Sequence, residues 1–225
     1  VTLSDFRELL GLAKNRGLTV QMGYMLRYNP AFQFMYRAVR EGWLGEIMEV
    51  DGMMGKMASA SLRRELARYP GGGMFELACH MVDSIVHVMG KPAKVHAFVR
   101  RTQGDGVGDN QLAVLEYENA TATIRCNHRD PHGFPRRRFQ IAGDKGTIEI
   151  RPIEPGKLTL SLGESHGGFD RGTHVVKLPI GSGRYDGEFA DLARVVRGKA
   201  KLAWSYEHDL AVQETVLRAS GMDVK

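Results

Sequence analysis

The chain has 225 residues, 43% of them apolar and 25% charged, with a formal net charge of +5. That length can bury a sizeable core, and the composition is ordinary for a globular protein in water. No apolar run approaches the ~18 residues of a membrane span and no secretory leader is visible, so membrane partners are not expected.

The positive balance could suit an anion. The densest basic run, Arg136 to Arg138, has no spaced aromatics on which bases could stack, so nucleic acid is not expected. Cys79 and Cys126 have no CxxC partners and read as small buried hydrophobes in a reducing, cytoplasmic setting.

Thr2-x-x-Asp5 opens a first helix, Phe6, Leu9, Leu10 and Ala13 recur at helical spacing, and Gly17 closes it. The chain opens on Val1 and enters this pattern at once, which fits a piece of a longer protein and equally a processed one. Leu18 to Tyr24 reads as a buried strand, and a second helix follows near Ala31 to Arg40. Helix, strand, helix is the grammar of a parallel α/β domain, of which only a last unit is present.

From Glu46 the grammar changes. "EIMEVDGMMG" reads as a strand, and a helix starts after Gly71-Gly72-Gly73. Strands follow near Ala93–Arg100, Gln111–Glu118, Thr121–Asn127, Arg138–Ala142, Thr147–Arg151 and Lys157–Ser161, with one more inside Gly172–Pro179. Phe139, Ile141, Ile148 and Ile150 point one way; Arg138, Gln140, Thr147, Glu149 and Arg151 point the other. "ENAT" and "GDKG" supply tight reversals. Two helices end the chain, one carrying the stripe Phe189, Leu192, Val195 and Val196, the other capped by Ser205 and closed by Gly221. The fold class is α+β, a largely antiparallel open sheet with helices on one face.

The chemistry concentrates after the three glycines. In "PGGGMFELACHMVD" and its continuation, Glu76, His80, Asp83 and His87 step by four, three and four, a single stripe on an otherwise apolar helix. Either the stripe is satisfied by local pairs or water, or it faces a cleft as an acid–base set in which Glu76 orients His80 and raises its pKa. Glu76 and His87 lie roughly 16 Å apart along a helix of ~1.5 Å rise per residue, so one metal ion cannot take the whole stripe. His128-x3-His132 flanks Pro131 and Gly133 and reads as loop, so no metal site is expected. Gly72 and Gly73 leave backbone N–H groups either for an anion or hydroxyl, or for close packing. "GDGVGD" joins two strands and opens no helix, so it is no dinucleotide fingerprint.

"VQMGYMLRYNPAFQFMYRAVREGWLGEIMEV", "GGGMFELACHMVDSIVHVMGKPAKVHA", "IAGDKGTIEI" and "SYEHDLAVQETVLRAS", in this order, resemble the Gfo/Idh/MocA oxidoreductases over nearly the whole chain. The resemblance implies that residues 1–26 are a remnant of a Rossmann domain contributing its last helix and strand, and that 27–225 form the C-terminal substrate-binding and oligomerisation domain. It implies NAD or NADP in a full-length parent, none bound by this chain alone, and hydride transfer to or from a sugar, cyclitol or polyol. His80 would exchange the hydroxyl proton with Glu76 beside it, while Tyr24, Arg27, Gly72, Gly73 and Asp83 would contact substrate or cofactor. Glu76 stands where the family more often has aspartate. The family's glycine fingerprint and catalytic lysine precede the region matching Val1. A homodimer or tetramer through the open sheet face is also implied. Alternatives are a non-catalytic assembly module and the family's glycosidase or lyase branch.

Overall fold

The computed structural model describes residues 2–68, 70–179 and 183–224. Among these residues, period-two apolar segments pair into one sheet of eight strands: β1 (Ile47–Gly55), β2 (Lys94–Arg100), β3 (Asn110–Glu116), β4 (Thr121–Asn127), β5 (Arg138–Gly143), β6 (Gly146–Ile153), β7 (Gly156–Leu162) and β8 (Gly172–Val176). Their order is β2-β3-β4-β1-β5-β6-β7-β8. β1 runs parallel to β4, and every other pairing is antiparallel. This parallel pair at the centre decides where the functional side chains emerge.

Val50, Ile124, Phe139, Ile141, Ile148, Ile150 and Leu160 are buried on one face of the sheet. The helices α2 (Pro30–Arg40), α4 (Cys79–Met89) and α7 (Tyr206–Ala219) supply much of the remaining core, and α1 (Leu3–Asn15) packs against α7. Thr2 caps α1 in a full capping box with Asp5, and Ser205 caps α7 through the His208 N–H. The other sheet face keeps Asp51, Thr123, Arg138, Gln140 and Glu149, with Arg138 and Asp51 paired at 2.8 Å. The in-and-out alternation expected of β5 and β6 is the one observed.

Three local expectations change. Leu18 to Tyr24 takes no regular secondary structure and pairs with no strand among the described residues. The helix after the glycines does not start as an α-helix: Met74–Ala78 form a π-helical turn before α4 takes over. Finally α6 (Asp186–Val196) is inside out. Phe189 and Val196 are each 68% exposed, whereas Glu188 and Asp191 are buried. Asp191 accepts from the Tyr28 hydroxyl at 2.7 Å, so tertiary hydrogen bonding sets the roll of this helix. Two short helices, α3 (Ala60–Leu66) and α5 (Gly133–Arg136), had no periodic signal long enough to read.

The glycines are resolved as packing glycines. Gly72 sits at φ +56°, and a Cβ there would drive into the backbone of Gly108. A Cβ on Gly73 would stand 2.7 Å from His128 Nδ1 and 3.0 Å from Cys126 Sγ. The Gly73 N–H donates to Gly108 O at 2.9 Å and the Met74 N–H to Gln111 Oε1 at 2.7 Å. The Gly73 and Met74 donors are therefore used within the protein. Gly72→Ala is expected to cost about 1–3 kcal/mol or more by overpacking alone, with left-handed strain added, measured by urea unfolding. An unchanged midpoint would show that the turn can move aside.

Candidate active site

β1 and β4 end at the same edge because they are parallel neighbours, and the residue just past each end belongs to the site. Lys56 follows β1 and anchors its N–H on Asn127 O at 3.0 Å; His128 follows β4 and donates its N–H to Asp109 O at 2.8 Å. Between them sits Glu76 from the π-helical turn. Its Oε1 lies 2.8 Å from Lys56 Nζ, and its Oε2 lies 3.2 Å from His128 Nε2 without the alignment of a hydrogen bond. Burial alone would raise the Glu76 carboxyl, but His128 and Lys56 outweigh it and hold the group down to about 2. Glu76 is a fixed anion.

His80 stands further along the same helix, half-buried, with the Tyr24 ring edge-on at 5.9 Å and 84°. Its Nδ1 is sealed from water and has no hydrogen-bond partner among the described residues. Burial pushes the imidazole down to about 4, opposed by Asp83 and Glu76 and helped by Arg184 and Arg137. His80 is thus a neutral imidazole at pH 7, one ring nitrogen a donor and the other an acceptor. The Glu76 carboxylate is turned to Lys56 and His128; it pushes the His80 imidazole up as expected, but burial outweighs that push.

Behind His80 lies a buried ion cluster. Arg27, 1% exposed, reaches Asp83 through Nη2 at 2.8 Å and Nε at 3.1 Å, and Asp209 through Nη2 at 2.5 Å. His208 Nε2 lies 2.9 Å from Asp83 Oδ1. The Arg27 guanidinium also covers the rings of Tyr24 (4.9 Å) and Trp204 (4.7 Å). Burial disfavours its charge, yet Asp83 and Asp209 more than compensate and hold it firmly protonated. Burial would raise Asp83, but His208 and Arg27 outweigh it and keep it ionised; for Asp209 burial prevails and its carboxyl is pushed up. Asp83, His208 and Asp209 offer ligand atoms within 4.8 Å of one another, but Arg27 bonds both carboxylates, so the cluster is a salt-bridge network.

The structure sets the Tyr24 ring against His80, one helical turn from Glu76, and ties Arg27 and Asp83 into a buried ion network. Gly72 and Gly73 are buried and shape the turn. His87 leaves the stripe altogether, accepting the Trp204 indole N–H at 3.1 Å on the protein's outer side. Lys56, His128, His208 and Asp209 were missed by spacing. His128 alone had a usable signal: Ala122, Ile124, Cys126 and His128 keep the inward parity of β4.

The remaining signals come from other proteins. A family model described as the GFO/IDH/MocA C-terminal domain matches residues 32–149, just over half the chain. The uncharacterized oxidoreductase YhhX of Escherichia coli is 28% identical over 174 residues, 69% of this chain and 48% of that protein. The trans-1,2-dihydrobenzene-1,2-diol dehydrogenase of Bos taurus is 29% identical over 119 residues, 52% of this chain and 35% of that one. The chain thus spans about half or less of these relatives' length. The solved structure of levoglucosan dehydrogenase with NADH and L-sorbose shares the fold, with a TM-score of 0.80 at 16% identity over 98% of this chain and 68% of that one.

Arg27→Ala leaves Asp83 and Asp209 buried and uncompensated, and is expected to cost about 3–5 kcal/mol in chemical unfolding. Acid should destabilise the fold in two stages. Below pH 6.5 the unfolded His80 takes up a proton that the folded one resists until about pH 4; below pH 4.5 the same holds for Glu76 until about pH 2. His87, also lowered by burial, adds to the upper stage and Glu188, raised to about 7, opposes it, so His80→Gln should shrink the upper loss in a pH series of thermal midpoints.

Proposed function

The chain belongs to the GFO/IDH/MocA family, and on that footing we propose that it is the substrate-facing C-terminal unit of an NAD(P)-dependent oxidoreductase acting on a sugar, cyclitol or related polyol. The observation that carries this reading is the wall of neutral His80 beside the fixed anion Glu76. When bound, a nicotinamide dinucleotide would exchange hydride with a substrate carbon. His80 takes the proton of the substrate hydroxyl at its acceptor nitrogen, and the negative charges of Glu76 and Asp83 favour the imidazolium as it forms. Lys56 and His128 keep Glu76 ionised, so the carboxylate stabilises that charge and does not itself carry the proton.

The chain's own residues fit the reacting end of a dinucleotide and not its phosphates. Residues 104–109 lie in the loop between β2 and β3, where Asp105 and Asp109 bind Arg63, and the N–H groups opening the π-helical turn are already committed. Residues 1–26 read as the end of a Rossmann unit. The exposed Leu9, Leu12 and Leu18, with Phe189 and Val196 of the inside-out α6, support a partner surface there. On this reading the chain alone binds NADH without tight saturation, and a tight fluorescence titration would contradict it. For assembly into a dimer or tetramer, the open sheet face is the surface proposed, with the exposed Phe98 at one end and the Arg138–Asp51 pair near the centre. A strict monomer in light scattering at high concentration would contradict that.

In the complete enzyme, His80→Ala is expected to lower kcat by about 10²–10⁴-fold with a smaller change in KM. Lys56→Met removes the ammonium that helps hold Glu76 down, so the acid limb of kcat/KM should move to higher pH. An unchanged kcat for His80→Ala would overturn the assignment.

A further inference from the structure

The basic run Arg136 to Arg138 splits three ways in the fold. Arg136 pairs with Asp130 beside α5, and Arg138 pairs with Asp51 on the open sheet face. Alternation along the strand sends Arg137, like Phe139 and Ile141, to the face that the helices cover. There Arg137 is only 3% exposed.

Arg137 is held at the strand edge that carries Lys56. Its Nε donates to Gly55 O at 3.1 Å, on the residue before Lys56, and its guanidinium carbon lies 3.7 Å from the centre of the Phe134 ring. These contacts fix the plane of the guanidinium without answering its charge. Glu154 lies 3.4 Å from Arg137 Nη1, and the same carboxylate takes Arg184 Nε at 2.7 Å. Two guanidiniums therefore share one anion, whereas Lys56 is matched by Glu76. Arg137 Nη2 has no hydrogen-bond partner among the described residues and is not sealed from water. Arg184 donates through Nε alone, which leaves both of its Nη nitrogens free among those residues.

A buried guanidinium is costly unless its charge and its donors are met. Burial lowers the Arg137 pKa, with Glu154 pulling it up and Arg184 pushing it down, so its charge is under-compensated. Burial leads in lowering His80 as well, and both guanidiniums add to that push, so they stand within electrostatic reach of the imidazole. A fixed planar fork with spare N–H donors suits an oxyanion.

We propose that Arg137 and Arg184 form an oxyanion subsite at the Lys56 edge of the site, so that the polyol taken carries a carboxylate or a phosphate ester. The subsite rests on the oxidoreductase reading and deepens it: the anion gives the substrate a charged handle, while His80 handles the proton.

The test is an NMR titration of the chain labelled with ¹⁵N-arginine, at fixed ionic strength. The probes are D-gluconate and myo-inositol monophosphate, their neutral counterparts D-sorbitol and myo-inositol, inorganic phosphate and adenosine monophosphate. Saturable shifts are expected at the Arg137 and Arg184 Nε–H signals with a polyol anion and not with the neutral polyols. Gluconate against the phosphate ester tells which anion is preferred. Arg184→Gln, at an exposed position, should weaken binding by about tenfold, and Arg137→Lys, which keeps the charge and loses the fork, by about as much. Glu154→Gln removes the anion that the guanidiniums share and should tighten binding, a gain that a merely structural ion pair would not give. Looser binding in Glu154→Gln overturns the subsite, as does the absence of any shift with both polyol anions. Neutral polyols that bind as tightly as the anions overturn it too. Equal binding of inorganic phosphate leaves a simple ion site, and equal binding of adenosine monophosphate a cofactor contact; either defeats the proposal. In the complete enzyme, turnover of neutral polyols alone, lost in His80→Ala, would sink the subsite and leave the oxidoreductase reading intact. Conversely, polyol-anion binding at Arg137 with kcat unaffected by His80→Ala would sink that reading alone.

Discussion

The Arg27 guanidinium is the contact on which the rest of the site depends. It reaches Asp83 on α4 and Asp209 on α7 from a loop that precedes α2, so one buried cation ties three segments far apart in sequence. Removing three charges from water is costly, and their attraction repays it only where geometry and hydrogen bonding are good. Here the guanidinium meets Asp83 with two of its nitrogens, His208 adds a further contact to Asp83, and two aromatic rings flank the cation. The orientation of α4 follows, and with it the position of His80 one turn earlier.

A second constraint comes from the sheet. Because β1 and β4 run parallel, Lys56 and His128 leave the same edge, and both find Glu76. The glycines before the π-helical turn let the backbone descend onto Gly108 and His128, closer than any side chain would permit. Rare π-helical turns are often found at functional positions, and this one brings its carboxylate to the strand ends. The result is a division of labour between a carboxylate that stays charged and an imidazole that stays neutral until it reacts.

Much of the architecture was legible in the sequence. β5 and β6 alternate cleanly, the turns between strands carry their glycines, and Thr2 and Ser205 announce their helices. Leu18 to Tyr24 is left unpaired among the described residues, and β-propensity cannot report whether a pairing neighbour is at hand. The stripe on α6 is real but its Phe189 and Val196 are exposed, because an apolar face is buried only if something covers it, and Glu188 and Asp191 take the buried side. Glu76, His80 and Asp83 were found by helical spacing, but spacing could not say that they serve different partners. Their partners Lys56, His128 and Asp209 lie on other elements, and only the parallel pairing and the packing of α7 bring them near.

The site turns on His80 being a neutral imidazole beside an ionised Glu76. ¹³Cε1 histidine NMR on the intact chain, with His80→Gln for assignment, measures it directly. The account predicts that the His80 resonance holds its neutral shift from pH 8 down to about 5 and titrates near 4. A His80 that titrates at its ordinary 6.5 or above would contradict it, returning the proton-carrying role to a Glu76–His80 pair.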